Sequence, residues 1–385
     1  MTKDIETFRK EFYLDNPTHV PLNNAGLCLL PKCVVRKVEE ISLLVAKDGA
    51  NCLGEVFKSW DDSKRLLSNL LGALENQIAW TPNCSSSLSF IANGYEYQKG
   101  EEIVIFENDY PANFYPWVAR SKKLGSTLTV VKAEKDLTRP LDNVIEAITA
   151  KTRIVALSHI QSDCGYLMDI SAVAEAAHKV GAIVVVDVIQ SAGIYPINFQ
   201  KMKVDVMCGG LHKWLCSPTG AGFLVIKEEI AARVAPVLHG ALNYGSFEDA
   251  PDVDKAPLEG VRRFEQGTPS FYSVLGAIPA LELIAEYSVD KLWKKAQELR
   301  ALLKNETQEL GFVIYGGSLT GPHLSITHSK QALEKISEAL NNEKISHALR
   351  PAPLPGGKVL RLSPHAYNTE EEIKKAIATL KGALA

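Results

Sequence analysis

The chain has 385 residues, 46% hydrophobic and 23% charged, with a formal net charge of −3: a folded globular protein too long for one simple core, and therefore of two domains. A balance so near neutral gives no electrostatic case for nucleic acid or an anionic membrane as partner. No apolar run is long enough to span a bilayer, and the mixed-charge opening lacks the apolar core of a signal peptide, so the cytoplasm is the expected location.

Seven cysteines, Cys28, Cys33, Cys52, Cys84, Cys164, Cys208 and Cys216, are scattered without C-x-x-C pairs, which reads as reduced thiols and no metal site. Residues 1–20 read as an amphipathic helix running into an extended stretch, Asn16-Pro17-Thr18-His19-Val20-Pro21, and then a turn, Leu22-Asn23-Asn24-Ala25-Gly26. Helical periodicity covers 33–46 and 62–74. A short strand from Ile78 leads through Thr81-Pro82-Asn83-Cys84-Ser85-Ser86-Ser87 into an apolar helix at 88–92. Small polar residues at a helix start either cap it or aim amides and hydroxyls at an anion. One hydroxyl suffices for a cap, and several stand here.

Strands follow at 103–106, 127–131 and 153–158, with helices at 141–148 and 172–180. The run Val184-Val185-Val186 stops at Asp187, the mark of a strand buried on both faces that delivers one carboxylate at its C-terminal end. A second buried strand at 204–208 ends in Gly209-Gly210, before a lone lysine, Lys213, flanked by His212 and Trp214. The strand at 220–225 closes the large sheet, and 240–260 is irregular. Beyond it lie helices at 271–287, interrupted by Pro279, and at 289–310. Short strands at 312–315, 323–327, 345–349 and 359–362 then alternate with helices at 331–340 and 370–380, an α+β pattern. The expected division is an arm at 1–20 joining the small domain, a large domain at 21–265 and a small one at 266–385.

Asp187 and Lys213 carry the chemistry. A lysine taken out of water loses affinity for its proton, and the free amine condenses with an aldehyde. Pyridoxal phosphate supplies that aldehyde, and its ring nitrogen needs a carboxylate partner to act as an electron sink.

The segments Val186-Asp187-Val188-Ile189-Gln190, His212-Lys213-Trp214-Leu215-Cys216-Ser217-Pro218-Thr219-Gly220, Asp109-Tyr110-Pro111, Arg263-Phe264-Glu265-Gln266-Gly267-Thr268-Pro269, and Arg361 with Tyr367-Asn368 resemble the class V aminotransferase family of fold-type I pyridoxal-phosphate enzymes. That family includes cysteine desulfurases, C–S lyases and isopenicillin N epimerase-like proteins. The resemblance implies an α/β fold with a mostly parallel seven-stranded sheet between helices plus a small α+β domain. It implies pyridoxal phosphate joined to Lys213 as an aldimine, with Asp187 at the ring nitrogen and Tyr110 stacked on the ring where desulfurases have a histidine. Cys84, Ser85 and His212 hold the phosphate, and Ser162 and Gln190 the phenolic oxygen. Thr268 reaches the phosphate of the neighbouring subunit, which makes the protein a homodimer. Arg361 takes the carboxylate of an amino-acid substrate, and Asn24 and Gly26 shape its pocket. Three departures stand out: Cys84 replaces the usual threonine, Ser162 an asparagine, and Gly210 a serine.

Desulfurases also need a nucleophilic cysteine on a small-domain loop, and none follows Cys216. The expected function is therefore a cysteine or cystine C–S lyase-like β-elimination without an enzyme persulfide. A transaminase, an epimerase and a catalytically silent cofactor-binding module stay open as alternatives.

Overall fold

The structure, a computed structural model, describes residues 2–15, 19–318, 320–329 and 331–385. Part of the extended stretch expected before Pro21, residues 16–18, lies outside the described residues. Seven strands build the large sheet: β1 (Ile78–Thr81), β2 (Glu102–Phe106), β3 (Thr127–Val131), β4 (Thr152–Ser158), β5 (Ile183–Asp187), β6 (Val206–Gly210) and β7 (Gly222–Ile226). Their order is β1-β7-β6-β5-β4-β2-β3. The pairs from β6 through β5, β4 and β2 to β3 are parallel, and β7 runs antiparallel to both its neighbours.

The valine run of β5 explains its central place. Val184 and Val186 pack into the apolar cluster on one face, while Ile183 and Val185 pack into the cluster on the other. With both faces covered, the end of the strand is where a side chain meets a cavity, and Asp187 stands there.

Gly209 and Gly210 allow β6 its close neighbours. A Cβ on Gly209 would lie 2.2 Å from the Phe223 ring, and one on Gly210 2.9 Å from Ile189 Cδ1.

A second sheet, order β10-β11-β9-β8, is antiparallel throughout: β8 (Val313–Tyr315), β9 (Leu324–Thr327), β10 (Ala348–Pro351) and β11 (Lys358–Leu362). Its core draws on helices Val289–Glu309, Leu333–Asn342 and Glu370–Leu384, and on Val20 and Leu22 of the N-terminal stretch. Val20 bridges Ile345, Asn23 bridges Ser363, and Arg9 pairs with Glu372 at 2.9 Å.

Four expectations need correction. The opening helix is a single 3-10 segment, Ile5–Glu11, capped by the Asp4 side chain and held through Phe8 and Phe12 against Tyr287 and Tyr367. The helix expected at 62–74 runs over Leu53–Leu71; Gly54 obscured its start, but buried Val56, Trp60, Leu67 and Leu71 keep helical spacing from there on. The strand expected at 345–349 is Ala348–Pro351, because Ile345 is taken by its bridge to Val20. Pro279 does not break the helix Phe271–Tyr287.

Candidate active site

A cavity at the C-terminal ends of the parallel strands is lined by Ala25, Gly26, Asn83, Cys84, Ser85, Tyr110, Ala112, Asp187, Ile189, Gln190, His212, Lys213, Arg350 and Arg361. Lys213 is buried, 6% exposed, and its amine has no hydrogen-bond or ion-pair partner among the described residues. Loss of hydration lowers its pKa to about 8; Asp187 pulls the other way, and Arg361 and Arg350 add to the lowering. The amine stands 5.2 Å from the centroid of the Tyr110 ring.

Asp187 is buried, and burial raises its pKa above the usual carboxylate range, opposed by the Ile189 N–H and by Lys213. Its Oδ1 accepts from Ile189 N at 2.9 Å and from the Cys84 thiol at 3.4 Å. Its Oδ2 accepts no hydrogen bond among the described residues, which leaves one carboxylate oxygen for an N–H in the cavity.

The helix Cys84–Gly94 presents its N-terminus to the same space. Its cap is the Asn83 side chain, which accepts from Ser86 N at 2.9 Å and from Ser86 Oγ at 3.1 Å. Ser87 bonds to Thr81 and to Phe223 O. Ser85 alone of the three serines has no side-chain hydrogen bond among the described residues, and it is exposed in the cavity. The helix start is thus capped already, and its hydroxyl and amides are left for an anion.

Tyr110 is set by Asp109, a buried carboxylate tying the turn after β2 to the end of β4. It accepts from Tyr110 N (2.7 Å), Ser158 Oγ (2.6 Å), Ser158 N (3.1 Å) and Asn113 Nδ2 (3.1 Å). Burial pushes its pKa up to about 7. Gln190 is held on both ends of its amide: Nε2 donates to Ala25 O and Oε1 accepts from Trp214 Nε1, each at 2.9 Å. One N–H of Nε2 remains. His212 is half-buried with its pKa lowered by burial and by Lys213, which keeps the ring neutral.

Arg361 comes in from β11. Its guanidinium donates to Ser162 O at 2.8 Å and to Asn23 Oδ1 at 3.3 Å, and it is 2% exposed. Both contacts leave part of the fork facing the cavity.

Three residues singled out in the sequence lie elsewhere. Asn24 is buried and engaged with Pro21 O, Ser363 O and the Tyr367 hydroxyl, a tie between the N-terminal loop and the end of β11; Asn23 is the neighbour that touches Arg361. Ser162 offers Arg361 its carbonyl, and it lines an adjoining cleft that shares Tyr110 and Arg350 with the cavity. Thr268 is exposed on a separate depression lined by Trp60, Trp80 and Glu265. Arg350 was not singled out. Its guanidinium lies 5.7 Å from the Tyr110 centroid and has no hydrogen bond or ion pair among the described residues. A basic residue on a short strand carries no periodic signal, so only its placement one strand from Arg361 reveals it.

An unpaired buried amine, a carboxylate with a free oxygen, an aromatic face and a capped helix start around one cavity fit pyridoxal phosphate. Fold and cavity together define an α/β enzyme that uses this cofactor. The family model for aminotransferase class-V matches residues 20–376, and the chain belongs to that family. It is 26% identical to a probable cysteine desulfurase of Pyrococcus abyssi, over 98% of this chain and 96% of that one. Among solved structures, the apo cysteine desulfurase of Thermococcus onnurineus superposes with a TM-score of 0.92 at 24% identity, covering 100% of this chain and 99% of that one. The cystine C–S lyase C-DES, in complex with its product cysteine persulfide, gives 0.86 at 21% identity, covering 94% and 97%. Among the described residues no helix is long and apolar enough to cross a membrane.

Proposed function

We propose that the enzyme eliminates the β-sulfur substituent of a cysteine- or cystine-like amino acid without taking the sulfur onto a cysteine of its own. One observation carries this reading. Where the cavity meets the second sheet stands Arg350, no cysteine follows Cys216 in the chain, and the one thiol lining the cavity, Cys84, is turned to Asp187. Burial and the Asp187 charge push that thiol well above its ordinary pKa, so it is a poor nucleophile.

When bound, pyridoxal phosphate supplies an aldehyde and a ring that accepts the electron pair left as the substrate's α-proton departs. Lys213 would hold it covalently, Asp187 at the ring nitrogen, and Tyr110 against the ring. Ser85, the amides at Cys84 and Ser85, and His212 would hold its phosphate; the free N–H of Gln190 would serve the phenolic oxygen. Arg361 binds the substrate carboxylate with the part of its fork left by Ser162 and Asn23. With its pKa lowered to about 8, Lys213 is a free amine able to take the α-proton once the pH passes that value, well below the ordinary lysine range. Tyr110, its ring centroid 5.2 Å from the Lys213 amine, serves as a platform.

The domain division at about residues 20 and 265, and a cytoplasmic location, belong to the same reading. So does a homodimer: Thr268 is exposed and lies off its own chain's cavity, as a residue that serves a neighbour's site would.

The test is incubation of the cofactor-loaded protein with a panel of amino acids that includes cystine. Pyruvate and ammonia support elimination. A full-length 2-oxo acid, or solvent deuterium at the α-carbon with no other product, replaces it by transamination or epimerisation. If borohydride reduction leaves no cofactor on Lys213, the chain is a silent module.

A further inference from the structure

Below the Lys213 turn lies a second cluster that takes no part in the cavity. The sulfurs of Cys28 and Cys216 and Nε2 of His365 all lie within 4.8 Å of one another, and all three residues are buried. Both cysteines hang on the backbone that carries Lys213: Cys216 N donates to Lys213 O at 2.8 Å, and Cys28 N donates to His212 O at 3.2 Å.

Cys216 adopts φ 48°, left-handed backbone that a side chain with a Cβ enters at a cost on the order of 1 kcal/mol. Glycine would sit there without that cost. A thiol kept at such a position, facing a second thiol, is a feature to be explained.

His365 is clamped between Trp214 and Tyr367, ring centroids at 5.4 and 4.5 Å. Its Nδ1 accepts the Ala366 N–H at 2.8 Å, so Nε2 carries the ring proton, and it lies 3.8 Å from the Cys216 sulfur. That tautomer has no lone pair on Nε2 for a metal, which sets aside ligation by the three groups. It does favour a thiolate on Cys216. The neighbouring Cys28 thiol, and then His365, hold Cys216 below the ordinary thiol pKa, while burial raises Cys28 well above it; Cys28 Sγ itself donates to Asn24 O at 3.4 Å. Cys216, with His365 Nε2 at 3.8 Å, is thus placed to attack, and Cys28 beside it to resolve.

We propose that Cys28 and Cys216 are a redox pair that closes to a disulfide on exposure to a hydroperoxide, clamping the N-terminal loop to the Lys213 turn. The Cys216 thiolate attacks one peroxide oxygen; an S–O bond forms, the O–O bond breaks, and the other oxygen leaves as an alcohol or water after taking a proton. The Cys28 sulfur then attacks the sulfenic sulfur, the S–S bond forms, and the S–O bond breaks. Hydroxide leaves with the Cys28 proton as water. The two sulfurs together give up the two electrons that reduce the peroxide. A disulfide needs its sulfurs at about 2.05 Å, so closure draws residues 26–28 and 213–216 together.

The test reads structure and is independent of turnover. Cofactor-loaded protein is treated with hydrogen peroxide and digested without reductant, and amide exchange is followed in residues 22–28 and 211–217. Expected are a cross-linked peptide joining Cys28 and Cys216, exchange slowed several-fold in both segments, and reversal of both by dithiothreitol. Cys28→Ser should show neither the cross-link nor the slowed exchange; it leaves Cys216 in place should Cys216→Ser fail to fold. Absence of the cross-linked peptide, a cross-link with unchanged exchange, or equal slowing in Cys28→Ser overturns the proposal.

Discussion

Replacing Lys213 by methionine should make the cofactor-free protein more stable, and the gain should fade as pH rises. The unfolded chain holds the lysine proton up to about 10.5, whereas the folded chain holds it only to about 8. Between those values the unfolded state binds more protons, so the wild type gains stability as pH rises through that window. Below it the buried charge opposes folding in full. At about 1.36 kcal/mol per unit of pKa, the opposition is roughly 3 kcal/mol near neutrality and falls to about 1 kcal/mol near pH 10. Methionine has similar length and no charge to bury. Urea unfolding of both cofactor-free proteins across that pH range measures the difference, and changes elsewhere in the molecule cancel between them. A gap that stays constant with pH, or a wild type more stable than the variant near neutrality, would refute the claim that the amine sits in a desolvated, uncompensated site. The residue most needed for the chemistry is then one the fold would be firmer without.

Arg361→Ala should raise KM with a smaller effect on kcat; an unchanged KM in steady-state kinetics removes the assignment of the substrate carboxylate to Arg361. Tyr110→Phe should bind cofactor as wild type does and Tyr110→Ala more weakly, read from cofactor dissociation; a large loss in the phenylalanine variant would move the hydroxyl into the chemistry. Lys64→Ala should destabilise the fold by about 3 kcal/mol, because Glu265, buried and bonded to Trp80 N, loses its 3.0 Å cation and keeps Arg262 as its charged partner. Urea unfolding decides it, and a loss under half that size shows Arg262 compensating. Mixing Lys213→Ala and Thr268→Ala subunits, followed by sedimentation and cofactor titration, tests the shared site, since a monomer in sedimentation rules it out.

The sequence was most legible where one local pattern has one explanation. Thr127–Val131 and Phe271–Tyr287 fall at the expected boundaries, and the valine run ending at Asp187 marks a strand covered on both faces. It was least legible where distant chain segments decide. Nothing local separates Asn23, which meets Arg361, from Asn24, which holds Tyr367 and Ser363; the bridge to β11 selects between them. Ile345 has the apolar character of a strand residue, yet it serves an isolated bridge to Val20. Arg350 enters the cavity only because β10 lies against β11. The serines after Asn83 show the converse: their sequence reads equally as caps or as anion ligands, and the side chain that caps the helix is Asn83.

The position of β7 bears on how the protein is made. β1 leaves the ribosome first of the seven strands of its sheet, yet its hydrogen-bonding neighbour is the last of them, Ile78 against Val225. Until that partner has been translated, the nascent chain carries β1 with its ladder unmade, an unpaired edge of Ile78, Ala79 and Trp80 that chaperones or a premature stop would find exposed.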